Sequence, residues 1–270
     1  MKLMIPCGLL CLVCSNDVLA WGAEGHSIVA EIAQRHMSPN ALANVRWLLK
    51  GEVSLASIAS WADDVRTDRP TTYNWHFVDI PLNQTTYDAA LYCAPNPAKG
   101  DCVINEIDRA RSTLADVTAT NADRIEALKS LVHFVGDVHQ PLHTVADNAG
   151  ENTLHVSFYA DPTNNRQEKT NLHAVWDSGL IRNQFWDWGA YANWIESDWL
   201  PGKDLDALAS GTPIDWAVEA HQVAINFAAQ GISENQVLDT TYATRVRGQL
   251  DHQLAVAGLR LARVLNEALR

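Results

Sequence analysis

The chain reads as a single, mostly α-helical domain with long loops and little β structure. Apolar residues recur at threes and fours along most of it, period-two runs are scarce, and no repeat, low-complexity tract or charge block divides it. Gly22–Met37 puts Ile28, Val29, Ile32 and Ala33 on one face. Ser38-Pro39 then opens a second helix toward Lys50, with proline at the first helical position. Leu55–Val65, Cys102–Val117 and Ala122–Val138 carry further amphipathic patterns, and Val246, Leu250, Leu254, Ala257, Leu261, Val264 and Ala268 mark a long C-terminal helix. Only Asn74–Ile80 and Asn152–Tyr159 read as strands. Thr67–Tyr73, Pro81–Asp101 and Asp147–Thr170 are irregular, the kind of segment that carries function on a helical scaffold. Of the ten tryptophans, Trp186, Trp188, Trp194 and Trp199 are expected to pack between helices.

The N-terminus has the anatomy of a secretory signal peptide. Lys2 precedes an apolar stretch from Leu3 to Cys14, and Val18-Leu19-Ala20 supplies small or aliphatic residues ahead of Trp21. Residues 1–20 are therefore a leader, and 21–270 the mature domain, secreted or periplasmic. Cleavage removes Cys7, Cys11 and Cys14. It leaves Cys93 and Cys102 as one pair for an oxidising compartment, closing a short loop at a gain of about 2–3 kcal/mol.

Apolar residues at 47% and charged residues at 19% exclude a disordered chain, and no apolar run is long enough to span a membrane. With 20 basic against 32 acidic side chains the net charge is −12, so a basic groove for nucleic acid is not expected. A phosphate binder of this composition needs bound cations. The histidines supply the means. His133 and Asp137 stand four apart, as do His173 and Asp177, and residues at that spacing share one helix face. A single His-x-x-x-Asp is ordinarily an exposed ion pair. Two copies set among Val132, Phe134, Val135, Leu172, Val175 and Trp176 imply buried carboxylates, and a metal ion is the partner that burial demands. Pro141 bends the chain after Asp137 and can return His143 to the same region.

Five strings occur in order from Trp21 to Asp177: Trp-Gly-x-x-Gly-His, Trp-Ala-Asp-x-x-Arg, His-Phe-x-Asp, His-x-x-Gly-Asp-x-His-Gln-Pro-Leu-His and Asn-Leu-His-x-x-Trp-Asp. On these the chain resembles the S1/P1 family of single-strand-specific, zinc-dependent nucleases, a helical fold shared with zinc-dependent phospholipase C. The resemblance implies three zinc ions. One is held by Asp63, His76, His133 and Asp137, a second by His143, His173 and Asp177, and a third by the α-amine and carbonyl of Trp21 with His26 and a second oxygen of Asp137. It also implies that the ions sharing Asp137 generate a hydroxide nucleophile, oriented by Asp63. Arg66 steadies the phosphoryl oxygens or a base edge, and Phe77, Asp79, Gly150 and Asn152 hold the base. Glu151 stands where the family commonly has glycine. Single-stranded DNA and RNA, cut to 5′-phosphates, and 3′-nucleotides are then the substrates of a monomeric enzyme. Zinc-dependent phospholipase C is the nearest rival, and a secreted zinc-binding protein without catalysis is the rival from another class. His139 is expected to support the helix bend, Asp64 to face solvent, and His36, His155, His221 and His252 to lie in the core or on the surface.

Overall fold

A computed structural model describes residues 21–51, 54–161, 166–185 and 187–270; the leader at 1–20 and Trp186 lie outside the described residues. Helices dominate, around a continuous apolar core that includes Trp21, Trp176 and Trp216. The first helix, Ala23–Arg35, buries Ile28, Val29, Ile32 and Ala33 against the long C-terminal helix, Thr240–Ala268. That last helix starts earlier than its apolar stepping suggested, because the Asp239 carboxylate caps it by accepting from the amides of Thr241 and Tyr242. Pro39–Leu48 is capped by Ser38 with proline at its start, Val103–Ala115 follows the disulfide, and Asn121–Asp137 carries the central histidine motif. Trp188, Trp194 and Trp199 are partly buried and pack on the core.

Three readings of the sequence need correction. Leu55–Val65 is not one helix but a 3-10 turn, Leu55–Ile58, followed by a short α-helix, Trp61–Arg66. The break at Ala59-Ser60 leaves the Ala59 carbonyl to accept a proton from His133 Nδ1 at 2.7 Å. Asn74–Ile80 is not a strand throughout: Pro70–His76 winds as a 3-10 helix with proline at its start, and only Phe77–Ile80 runs extended. Asp147–Thr170 is not wholly irregular. It contains strand β1, His155–Asp161, and the beginning of β2, Arg166–Asn171, which pair antiparallel. A third strand, β3, Gln236–Leu238, adds parallel to β1, giving the order β2-β1-β3. Polar side chains along β2 concealed it, since an exposed edge strand needs no apolar alternation.

Two backbone connections bring the motif segments together. The extended stretch after His76 lies along His143–Ala146, with Val78 N donating to His143 O at 2.9 Å and Ala146 N to Ile80 O at 3.0 Å. Trp21 is fully buried, donates from Nε1 to Gly136 O at 2.9 Å, and is followed by Gly22, whose amide donates to Asp177 O at 2.8 Å. Residues 21 and 22 are thus tied to both His-x-x-x-Asp segments.

The closest helix crossing is at Gly258. A Cβ there would lie 2.5 Å from Ile32 Cγ2 and 2.6 Å from Ile32 Cβ, so the first and last helices meet where one side chain is missing. Alanine gains about 1 kcal/mol of helix propensity, but overpacking of a rigid β-branched contact costs about 1–3 kcal/mol. Gly258→Ala is expected to lower stability by up to about 2 kcal/mol, read as a lower urea midpoint at unchanged slope. A stabilised variant would contradict the packing described.

Candidate metal centre and cleft

His133 and Asp137, one turn apart on Asn121–Asp137, are fully buried. His76 arrives from the end of its 3-10 helix and Asp63 from Trp61–Arg66, whose next residue, Asp64, is exposed. His76 Nδ1, His133 Nε2, Asp63 Oδ1 and Asp137 Oδ2 form a four-cornered set. His76 to His133 is 3.1 Å, Asp137 Oδ2 is 3.1 Å from each of them, and Asp63 Oδ1 is 3.5 and 3.6 Å from the same two nitrogens. Atoms bound about 2.0 Å from one zinc ion lie a little over 3 Å apart, the spacing of the His76–His133–Asp137 triangle, and Asp63 lies only slightly farther from its two rings. Two imidazole nitrogens and two carboxylate oxygens converging in this way are a donor set suited to a metal ion.

A second group joins His143, His173 and Asp177, with ligand atoms within 4.8 Å of one another. His173 and Asp177 sit on a helical segment that winds as a π-turn over Val175–Gly179, a local widening common at functional sites. Gln140 holds Asp177 by donating from Nε2 to Oδ1 at 2.6 Å. His26, from the first helix, stacks on His133 with ring centroids 4.0 Å apart and puts Nε2 3.3 Å from Asp137 Oδ1. It is also grouped with Asp63 and His133 within 4.8 Å. Asp137 therefore faces His76 and His133 with one oxygen and His26 with the other. Among the described residues, buried side-chain atoms lacking a hydrogen-bond partner concentrate here: both nitrogens of His26, Asp63 Oδ1, His76 Nε2, Asp137 Oδ1, and Nε2 of His143 and His173. Buried polar atoms left unpaired are rare unless a ligand satisfies them, so the residues present fit metal ions.

Backbone carbonyls fix how the imidazoles present themselves. Nδ1–H of His133 donates to Ala59 O, that of His143 to His76 O at 2.7 Å, and that of His173 to Gly150 O at 2.5 Å. Each bond turns Nε2 to the centre, where it offers a lone pair whenever the ring is neutral. Burial lowers His26, His76 and His173 from 6.5 to about 4 and His143 to about 3, so these rings are neutral donors near neutral pH. Burial would also lower His133, but Asp137 and Asp63 hold it up at about 9. Burial pushes Asp63 and Asp177 upward; it would do the same to Asp137, which His133 instead holds well below the carboxylate range.

Beside the centre opens a cleft of about 270 Å³ whose walls include Arg66, Phe77, Asp79, Gly150 and Asn152, together with His76, His143 and His173. The five substrate residues expected from the sequence thus share one cavity with metal-type histidines. Asp79 stands at the exposed mouth with its carboxyl raised by the surroundings that desolvate it. Asn148, Ala149, Gly150 and Glu151 all adopt left-handed backbone, and Glu151 is turned inward, its Oε2 accepting from Asn148 Nδ2 at 3.0 Å. Asn152 closes this turn by donating from Nδ2 to Ala149 O. Sequence reasoning missed Tyr73 and Lys99, which also line the cleft. Lys99 had one signal, being the lone Lys or Arg between Arg69 and Arg109. His139 is buried away from the centre, with Nδ1 on Val135 O and Nε2 accepting from Arg260 at 2.9 Å. His36 and His155 meet glutamates, His221 meets Thr144 and Gln84 O, and His252 meets Glu219. Cys93 and Cys102 are disulfide-bonded.

A helical scaffold that buries several His/Asp sets able to hold metal beside an open, aromatic-walled cleft has the make-up of a metal-assisted hydrolase. Similarity to known proteins narrows the class. The S1/P1 Nuclease family model matches residues 21–270, and the chain belongs to that family. It is 31% identical to nuclease P1 of Penicillium citrinum over 92% of this chain and 97% of that protein, and 30% identical to Endonuclease 2 of Arabidopsis thaliana over 94% and 92%. Nuclease S1 of Aspergillus oryzae is 26% identical over 97% and 96%. The chain is accordingly a nuclease, a hydrolytic phosphodiesterase. Among the described residues no helix is long and apolar enough to cross a membrane.

The neutral imidazoles set an acid limit on the metal-stripped protein. As pH falls below 6.5 the unfolded chain takes up protons on His26, His76, His143 and His173 that the folded chain refuses until about pH 4, so stability falls across that window by up to about 1.4 kcal/mol per pH unit for each ring. Carboxyls that burial raises, Asp63, Asp177 and Glu106 foremost, act in the opposite sense, while His139, lowered to about 3, adds a fifth ring to the four. Chelator-treated protein should show a falling urea midpoint between pH 6.5 and 4; a midpoint that climbs on acidification would contradict the neutral cluster.

Proposed function

We propose that the mature chain is a secreted, monomeric, zinc-dependent endonuclease. It hydrolyses single-stranded DNA and RNA to 5′-phosphate products and removes the phosphate from 3′-nucleotides. The observation that carries this reading is the convergence of His76, His133, Asp63 and Asp137 beside the cleft that Arg66 and Phe77 line. Asp63, His76, His133 and Asp137 would hold one zinc, and His143, His173 and Asp177 a second. The α-amine and carbonyl of Trp21, with His26 and the second oxygen of Asp137, would hold a third. When bound, zinc supplies Lewis acidity toward phosphoryl oxygens and lowers the pKa of water.

The chain's own groups do the rest. Asp137 divides its oxygens between two ligand sets and so fixes their spacing. Asp63 orients the attacking water in line with the departing O3′. Arg66, one turn beyond Asp63, donates to the non-bridging phosphoryl oxygens and is braced on Tyr73, with its guanidinium carbon 4.2 Å from the ring centroid. Phe77 offers a ring for base stacking, Asp79 accepts from base N–H groups, and Gly150 lets the wall approach the base, with Asn152 as a further polar contact. An unstacked base enters such a pocket at least cost, which favours single strands. Nothing in this arrangement uses a ribose 2′-hydroxyl, so DNA and RNA both serve.

The test is digestion of single-stranded DNA by protein beginning at Trp21, with metal content measured on the same sample. Mononucleotides carrying 5′-phosphate, and about three zinc per chain, are expected. Hydrolysis of phosphatidylcholine without DNA cleavage would turn the reading to a phospholipase, and zinc binding without turnover to a storage protein. In the same assay Asp137→Asn should lose far more activity and metal than Asp64→Asn, since only Asp137 serves two ligand sets; equal losses would show the sets to be misassigned. One residue added before Trp21 should lower zinc content by about one ion and cut activity sharply. Full zinc content in that protein would refute ligation by the α-amine.

A further inference from the structure

The loop closed by Cys93–Cys102 does more than link two segments. Its backbone docks on the turn that ends in His76: Asn74 N donates to Lys99 O at 2.8 Å, and Asn74 Nδ2 to Gly100 O at 3.3 Å. Gly100 takes φ +86°, and a Cβ there would lie 2.5 Å from Trp75 Nε1 and 2.7 Å from Thr71 O, so the docked turn admits no side chain. Within the loop, Asn96 Oδ1 accepts from the amides of Ala98 and Lys99 and sets the turn that raises Lys99. The outcome is that Lys99, in a stretch otherwise devoid of Lys and Arg from 70 to 108, lines the cleft. Its Nζ lies 5.4 Å from the centroid of the Tyr73 ring, the ring that also carries Arg66. Arg66 and Lys99 are the two cations of the cleft wall in a chain of net charge −12. Tyr73 precedes His76 by three residues of 3-10 helix, a rise of about 6 Å along its axis, and Arg66 bears electrostatically on Asp63, His76 and His173.

We infer that Lys99 is a second phosphate-binding residue, which holds the phosphodiester next to the one being cut and thereby favours polymers over single nucleotides. This rests on the cleft being the polynucleotide site of the proposed nuclease. The two cations suit different roles. An exposed ammonium is a mobile point charge that follows a flexible backbone, whereas Arg66, packed on Tyr73, is the directional donor nearer the cage. The bonded loop holds the lysine's backbone in place, so the contact requires no ordering of a free segment when substrate arrives.

The experiment compares wild type, Lys99→Ala and Lys99→Arg, all zinc-loaded, on a single-stranded oligonucleotide and on a dinucleoside monophosphate, which lacks a second phosphodiester. Lys99→Ala should raise KM for the oligonucleotide by about three- to tenfold, with most of the loss in KM rather than kcat and a smaller rise for the dinucleotide. Its log–log salt dependence on the oligonucleotide should become shallower by about 0.7, the value for one phosphate contact on a single strand, and Lys99→Arg should restore most of both. Equal losses on the two substrates, or an unchanged salt slope, would overturn the inference. If the wild type cuts neither substrate, the nuclease reading itself fails, and the two failures are told apart.

Discussion

Three aspartates, Asp63, Asp137 and Asp177, buried together with five imidazoles set the terms for the rest of this structure. Each ionised carboxylate taken from water costs several kcal/mol even after relaxation. Three of them approach or exceed the whole stability of a typical domain, about 5–15 kcal/mol. One proton on His133 answers one of the charges, and burial suppresses ionisation of Asp63 and Asp177. Binding free energies of about 10–16 kcal/mol, as for structural zinc, are of the size needed to offset the remainder. The same burden accounts for an acidic protein acting on a polyanion: attraction is concentrated at one point of the cleft, and the surface charge has little part in it.

That burden also explains why the ligands come from separate segments yet meet with little freedom. Ala59, His76 and Gly150 each use a carbonyl to hold a histidine ring, and each carbonyl is available because the local backbone departs from regular helix. Ala59 lies in the break between two short helices, His76 at the end of a 3-10 turn, and Gly150 in a left-handed turn. Asp177 is steadied differently, by Gln140 from the bend after Asp137. The His-Gln-Pro-Leu-His string therefore works as a unit. Gln140 Oε1 accepts from the amide of Leu142 while its Nε2 binds Asp177, and Pro141 opens the 3-10 turn that delivers His143.

Much of this was legible before the structure, because chemistry leaves a denser trace in sequence than topology does. Spacing alone placed His133 with Asp137 and His173 with Asp177, and apolar neighbours announced their burial. The periodic helices at both ends were equally plain. What escaped was structure without a periodic signature. Strand β2 alternates nothing, since the successive residues Gln167, Glu168 and Lys169 are all exposed and neither side is buried. The helix Pro213–Val223 was marked only by the Thr212/Asp215 capping box, which local pattern counting passes over. Leu55–Val65 and Asn74–Ile80 were misread because their breaks serve tertiary contacts with His133 and His143, beyond the reach of any local rule. Lys99 and Tyr73 escaped for the same reason: the disulfide loop brings Lys99 to the cleft, and the 3-10 helix Pro70–His76 brings Tyr73.

The turn at Asn148–Glu151 shows the balance between site and stability most directly. Left-handed backbone costs a residue with a Cβ roughly 1–2 kcal/mol, and here Asn148, Ala149 and Glu151 all adopt it, Gly150 alone being indifferent. Local bonds recover part of the cost. Asn148 binds the Glu151 carboxylate, Asn152 binds Ala149 O, and Thr153 binds Asn148 O through both its amide and its hydroxyl. None of these bonds requires the turn to be left-handed, so they do not explain why it exists. The bond to His173 does. It needs the Gly150 carbonyl aimed inward while Gly150 itself packs against Leu142 O, where a Cβ would come within 3.0 Å. Strain held at a single turn, with glycine at the tightest point, is the form expected when a ligand's orientation outweighs local comfort. Glu151 tolerates the conformation because its carboxylate closes the turn from within, turned toward Asn148 and not toward the base pocket that Gly150 and Asn152 wall.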